Sequence, residues 1–128
     1  MQADRKRAAI YCRVADKDDR AIEHQRQTMH RFAAKQGYED CAEYLENGAV
    51  GTTLDRPVLN RLTDAMANDE VQVVFVHSTD RIARGFMLVY SWLNFAESLG
   101  VEVISPHKDI EYCLNSFTAL LEAYKKRK

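Results

Sequence analysis

Residues 71–76, "VQVVFV", limit the possible folds of this chain more than any other stretch. The run is short, almost wholly apolar and rich in β-branched residues. A strand of that kind offers no face to water and belongs at the centre of a parallel sheet covered on both sides. Crossover connections must then join the strands, and helices are the usual means.

The rest of the chain supplies those pieces. Residues 8–14, "AAIYCRV", read as a buried parallel strand interrupted by Arg13. Residues 20–36 place Ala21, Ile22, Met29, Phe32 and Ala33 at helical spacing, and Gly37 supplies the stop. Residues 41–45, "CAEYL", are a second strand. In "ENGAVGTTLDRP" Pro57 suits a first helical turn, with Asp55 as the expected N-cap of a helix over 57–68. "FMLVYSWLNFAESLG" predicts an apolar helix ending at Gly100, and 101–105, "VEVIS", a fourth strand. On that helix Met87, Leu88, Tyr90, Trp92, Leu93 and Phe95 read mainly as core, although the helix is apolar nearly all round and some could face a partner subunit. The tail from Leu114 to Lys128 predicts an amphipathic helix with a basic end, "KKRK", which reads as a solvated terminus favoured by the helix dipole. "RKR" at 5–7 reads as an exposed leader. The order β-α-β-α-β-α-β predicts an α/β fold of three layers: a mainly parallel four- to five-stranded sheet with helices on both faces.

A chain of 128 residues is expected to form one domain, 1–128, with 114–128 as its C-terminal helix. No apolar run approaches the roughly 20 residues that cross a bilayer, and no secretion signal is evident, so the cytoplasm is the expected location. Cys12, Cys41 and Cys113 form no Cys-x-x-Cys pair, which fits a reducing compartment. The four histidines show no metal-binding spacing, so no metal is expected. A net charge of −1 does not mark the whole chain as a nucleic-acid binder, so any such claim rests on local arginines.

Sites in parallel sheets lie at the carboxyl ends of the strands. Three loops fall there, after Val14, Leu45 and Val76, and they bring Arg13, Arg56, Asp80, Arg81 and Arg84. Any one of these arginines alone reads as a solvated surface charge. Together they read differently. Arg13 lies inside an apolar strand, where a charge is costly unless it meets an anion. Arg81 and Arg84, three apart, would face the same way on a helical turn. Converging guanidinium groups suit a phosphate. Neither a P-loop nor a Gly-x-Gly-x-x-Gly motif is present, which disfavours nucleotide sites and leaves metal-free phosphodiester chemistry as the better fit.

"YCRVADKDD", "ENGAVGTTLDRPVLNRL" and "VVFVHSTDRIARG" resemble, in order and spacing, the catalytic domain of serine recombinases, the resolvase and invertase family, over roughly residues 6 to 110. The resemblance implies cleavage of double-stranded DNA by a serine, leaving a 5′-phosphoserine link and a free 3′ hydroxyl. It implies homodimers that assemble into tetramers, and no metal or cofactor. By position, Arg13, Arg56, Arg81 and Arg84 would cradle the phosphate, and Asp80 would orient an arginine or handle the leaving-group proton. Gln25 would be a polar site residue, against an equally good reading as an exposed helix residue.

Ala15 departs from that pattern, because it occupies the nucleophile's place. Asp16 would be a poor phosphodiester nucleophile. Loss of the nucleophile costs on the order of a million-fold in rate, so the chain is expected to be inactive in cleavage. The alanine is either native or introduced to trap an uncleaved state, and the unusual Asp16 beside it favours a native one. The chain also stops at Lys128, where the family has a long dimer helix and a DNA-binding domain, so no DNA-binding domain is expected here. The alternative to a recombinase domain is a non-catalytic relative that binds DNA phosphates or pairs with an active subunit. An unrelated phosphate- or nucleotide-binding α/β protein is the third reading.

Overall fold

The computed structural model describes residues 6–126, and the remainder of the basic leader and of the basic tail lies outside them. Four strands form one sheet, β1 (Ala8–Val14), β2 (Cys41–Asn47), β3 (Val73–Val76) and β4 (Glu102–Ile104). Its order is β2-β1-β3-β4 and every neighbouring pair is parallel. The helices are α1 (Asp19–Lys35), α2 (Pro57–Ala67), the single turn α3 (Thr79–Ile82), α4 (Phe86–Ser98) and α5 (Asp109–Lys126).

Two apolar cores follow from the period-two alternation of the strands. Ala8, Ile10, Cys12 and Val14 of β1 join Val73 and Phe75 of β3 against Ile22, Met29 and Ala33 of α1. The intervening Ala9, Tyr11, Val74 and Val76 face the other way, onto α2, α4 and the start of α5. The chain runs from β1 through α1 to one edge, then returns across β1 to β3. Right-handed crossovers in opposite directions place α1 alone on one face. The reversal occurs between β1 and β3, so the crevice of the sheet opens above their carboxyl ends.

The expected fold is present, with instructive differences at the ends of elements. Asp18 caps α1, its carboxylate accepting from the Ala21 amide at 3.0 Å. Asp55 does not cap α2. The orphan amide of Val58 donates instead to the Glu46 carboxylate of β2 at 2.9 Å, a partner remote in sequence. Helix α5 begins at Asp109 rather than Leu114, because Ile110 and Cys113 bury against the core. Their spacing with Leu114 was the available signal, obscured by Pro106 and the polar residues after it. On α4, Val89, Trp92, Leu93 and Ala96 are buried, while Phe86, Met87 and Phe95 are exposed.

Glu46 and Arg56 form a buried ion pair at 3.3 Å, each about one-twentieth exposed or less. Arg56 also donates to the Thr53 carbonyl and Tyr11 hydroxyl at 3.0 Å each, and to the Ile82 carbonyl. The Tyr11 hydroxyl in turn donates to Glu46. Burial, and then this bond to Glu46, push the tyrosine's pKa well above its ordinary value. Glu46→Ala should leave the Arg56 charge buried and unpaired and uncap α2. The expected loss is about 3–5 kcal/mol in urea unfolding, far beyond that of an exposed Glu-to-Ala change such as Glu39→Ala.

Candidate phosphate site at the carboxyl edge of the sheet

Strand β1 outruns its neighbour. Tyr11 pairs with Val76, the last residue of β3, whereas β1 continues to Val14 alongside β2. On the β3 side the backbone of Arg13 therefore lacks a strand partner. Gln25 of α1 fills the gap. Its side-chain carbonyl accepts from the Arg13 amide at 3.0 Å and its side-chain amide donates to the Arg13 carbonyl at 3.2 Å. Gln25 is buried, so its reading as an exposed helix residue does not hold.

The Arg13 side chain points to the opposite face, in phase with Ala9 and Tyr11. It is 5 % exposed. Nε donates to the Arg81 carbonyl at 2.9 Å, Nη1 to the Ala49 carbonyl at 2.7 Å and Nη2 to the Asp80 carbonyl at 2.6 Å. Among the described residues it has no ion-pair partner. Burial, and next the Arg56 charge, draw its pKa below the ordinary value. Gly51 makes room for it. A Cβ there would lie 2.8 Å from Arg13 Nη2 and 3.1 Å from the Arg84 amide, which itself donates to the Gly51 carbonyl at 2.7 Å.

Arg81 goes to the α1 face. Its Nη1 donates to the Arg13 carbonyl at 3.2 Å. Its Nε is buried and has no hydrogen-bond partner among the described residues, with the Asp80 carboxylate standing off at 3.8 Å. Arg81 lines a cavity of about 260 Å³ together with Val14, Ala21, His24, Gln25, Thr28 and His77. Ala15 is exposed immediately beyond Val14. The Asp80 carboxylate is exposed and accepts from the Ser78 hydroxyl.

The expected convergence of four arginines is not what these positions form. Arg81 and Arg84 do not share a helical face, because α3 ends at Ile82 and Ala83 is extended at φ −166°. Arg84 is exposed on the far side, lining a larger cavity of about 640 Å³ with Phe86, Val89, Tyr112 and Cys113. Arg13 and Arg56 are held inside by carbonyls and by Glu46 respectively. Residues brought together around the open cavity are Gln25, Arg81 and Val14 at the end of β1, one residue before Ala15. His24, Thr28 and His77 were not anticipated there. The signals were available: His24 and Thr28 share a helix face at i,i+4, and His77 is the first residue past β3. Burial, and next the neighbouring His107, lower the pKa of His77, so it carries little charge at neutral pH.

Three comparisons bear on this arrangement. The family model described as "Resolvase, N terminal domain" matches residues 8–124. No curated protein matches. Among solved structures, the N-terminal catalytic domain of TP901-1 integrase superposes with a TM-score of 0.80 at 22% identity, over 94% of this chain and 98% of that one. A resolvase family site-specific recombinase from Streptococcus pneumoniae gives 0.70 at 24%, over 96% and 90%. The C-terminal catalytic domain of ISC1926 TnpA, an IS607-like serine recombinase, gives 0.68 at 24%, over 92% and 82%. At these identities the structures establish the shared fold, and the match of the family model across nearly the whole described chain establishes membership: this protein belongs to the resolvase family of serine recombinases and carries its N-terminal domain.

Proposed function

We propose that this chain is a recombinase domain that holds a backbone phosphate of double-stranded DNA at the carboxyl edge of β1 and β3 and, with Ala15 in the nucleophile's place, does not cleave it. The observation that carries this reading is Arg81, which lines a cavity one residue from the exposed Ala15 and keeps a buried Nε uncommitted. A buried guanidinium donor without a partner suits an incoming oxyanion, which would give a charge-assisted bond. Arg81 makes the direct contact. Arg13 and Arg56 act behind it, holding the loops that present Asp80, Arg81 and Arg84, and Gln25 fixes the backbone of β1 beneath the phosphate. Arg84, exposed beyond the turn, reaches a neighbouring phosphate along the strand. Neither a metal nor a cofactor takes part.

Strand cleavage needs an oxygen that attacks phosphorus while the 3′ oxygen leaves with a proton. At position 15 the side chain is a methyl group, and Asp16 beside it is a weak nucleophile at phosphorus. The domain therefore acts as a phosphate-binding or pairing subunit unless a hydroxyl is restored. Self-association fits the apolar surface left on two helices: Phe86, Met87, Phe95 and Leu99 on and just after α4, and Tyr112, Leu120, Leu121 and Tyr124 on α5. We read this as a dimer surface, with a tetramer as the higher assembly. No described helix is long and apolar enough to cross a membrane. Burial raises the pKa of all three free thiols, Cys12 to about 12, which keeps them unreactive and suits a cytoplasmic protein.

Three measurements test these statements. Incubated with duplex DNA, Ala15→Ser should give a covalent adduct through a 5′ phosphate that survives denaturing electrophoresis, and the unaltered chain should give none. An adduct on the unaltered chain would show that cleavage does not need position 15. Arg81→Ala should weaken duplex binding about 10- to 100-fold in fluorescence anisotropy, the scale of one lost guanidinium–phosphate bond, with a shallower salt dependence. In sedimentation velocity the unaltered chain should run larger than a monomer, and the pair Leu120→Asp and Leu121→Asp should return it to one.

A further inference from the structure

The geometry points to a divalent-cation site at His77 and His107, taking a borderline metal of the zinc or copper type through the two Nε2 atoms. The two nitrogens lie 3.4 Å apart. An ion with tetrahedral geometry and nitrogens at about 2.0–2.1 Å spaces any two of them about 3.3–3.4 Å apart, so the pair already stands at the required separation. The ring centroids are 4.8 Å apart and the ring planes cross at 73°, an edge contact in which the two Nε2 atoms lie closer than the centroids. As a hydrogen bond the contact is long.

One carboxylate ties together the two loops that carry the histidines. Asp109, at the start of α5, accepts from the Thr79 amide at 2.8 Å, two residues past His77. It also accepts from the Ser105 hydroxyl at 2.6 Å, and that hydroxyl accepts from the His107 amide at 3.2 Å. The two ligands thus come from different loops, after β3 and after β4, whose spacing is set without a metal. Preorganisation of this kind lowers the ordering cost of binding. His107 is exposed and the His77 ring partly so, which gives an ion access. No group of three or more candidate ligands occurs among the described residues, so the protein supplies two imidazoles and water completes the shell. Imidazole nitrogens favour zinc, copper and nickel over magnesium or calcium. The charged groups facing His77 are Asp80, Arg81 and Asp109, a mixture that neither forbids a cation nor holds one alone. His77 also lines the cavity beside Arg81, but zinc binding by the pair is read out without DNA.

The test uses the unaltered chain, with ZnCl2 as probe and MgCl2 as control. Zinc in excess should raise the thermal midpoint by several degrees at pH 7.5, since a ligand bound to the folded state alone stabilises it. Equilibrium dialysis should find one zinc per chain. His107→Ala, at an exposed position, should fold normally and lose both effects. His30→Ala should keep them, because that histidine pairs with Glu43 on the far side of α1. No midpoint shift, or an equal shift and stoichiometry in His107→Ala, would overturn the proposal.

Discussion

The buried guanidinium of Arg13 holds the carboxyl edge of this sheet together. A cation inside an apolar strand is stable only if its donors are met, and here they are met by three main-chain carbonyls from two loops. Those carbonyls fix the loop after β2 and the turn after β3 against the end of β1. Gly51 lets the guanidinium approach, and the Arg84 amide bonded to the Gly51 carbonyl ties the two loops to each other. Arg56 repeats the device one layer down with Glu46, Tyr11 and the Ile82 carbonyl. The side chain of Arg81 rests on this frame, its Nη1 on the Arg13 carbonyl and its Nε uncommitted.

That division of labour explains what the sequence disclosed and what it withheld. The strands and helices were legible because their apolar periods are strong: the run at 71–76, the alternation in 8–14 and the helical stripe with its glycine stop at 37 each point one way. The family was legible because Arg13, Arg56 and the Asp-Arg-x-x-Arg stretch stand at fixed places in the strand-loop order. The placement of the arginine side chains was not. A sequence shows that a charge lies near a strand end, not which face its side chain takes, and β1 sends Arg13 and Gln25's partner atoms in different directions. The one-turn α3 stops before Arg84, so a spacing of three that implied a shared face produced opposite ones. Glu46, which caps α2 and neutralises Arg56, was invisible as a partner because ten or more residues separate it from both.

On the reading proposed above, the edge is a binding site without an attacking group. A cavity lined by a guanidinium, an amide and two imidazoles supplies positive potential and hydrogen-bond donors, while the exposed methyl of Ala15 supplies neither acid nor base. Electrostatic stabilisation and nucleophilic attack are separable parts of phosphodiester chemistry. Here none of the hydrogen bonds of the buried arginine network involves the residue at position 15.

The long separation between Arg13 and its carbonyl partners has a consequence for how the domain folds. Arg13 belongs to the first strand, and two of the three oxygens that receive it come 67 and 68 residues later. Parallel sheets form through such non-local contacts and are slow for that reason. Until β3 and the turn after it are in place, β1 cannot bury its last residues without stranding a charge in an apolar setting. The carboxyl end of the first strand therefore cannot be completed by the amino-terminal half of the chain alone, because the oxygens that receive its arginine lie at Asp80 and Arg81.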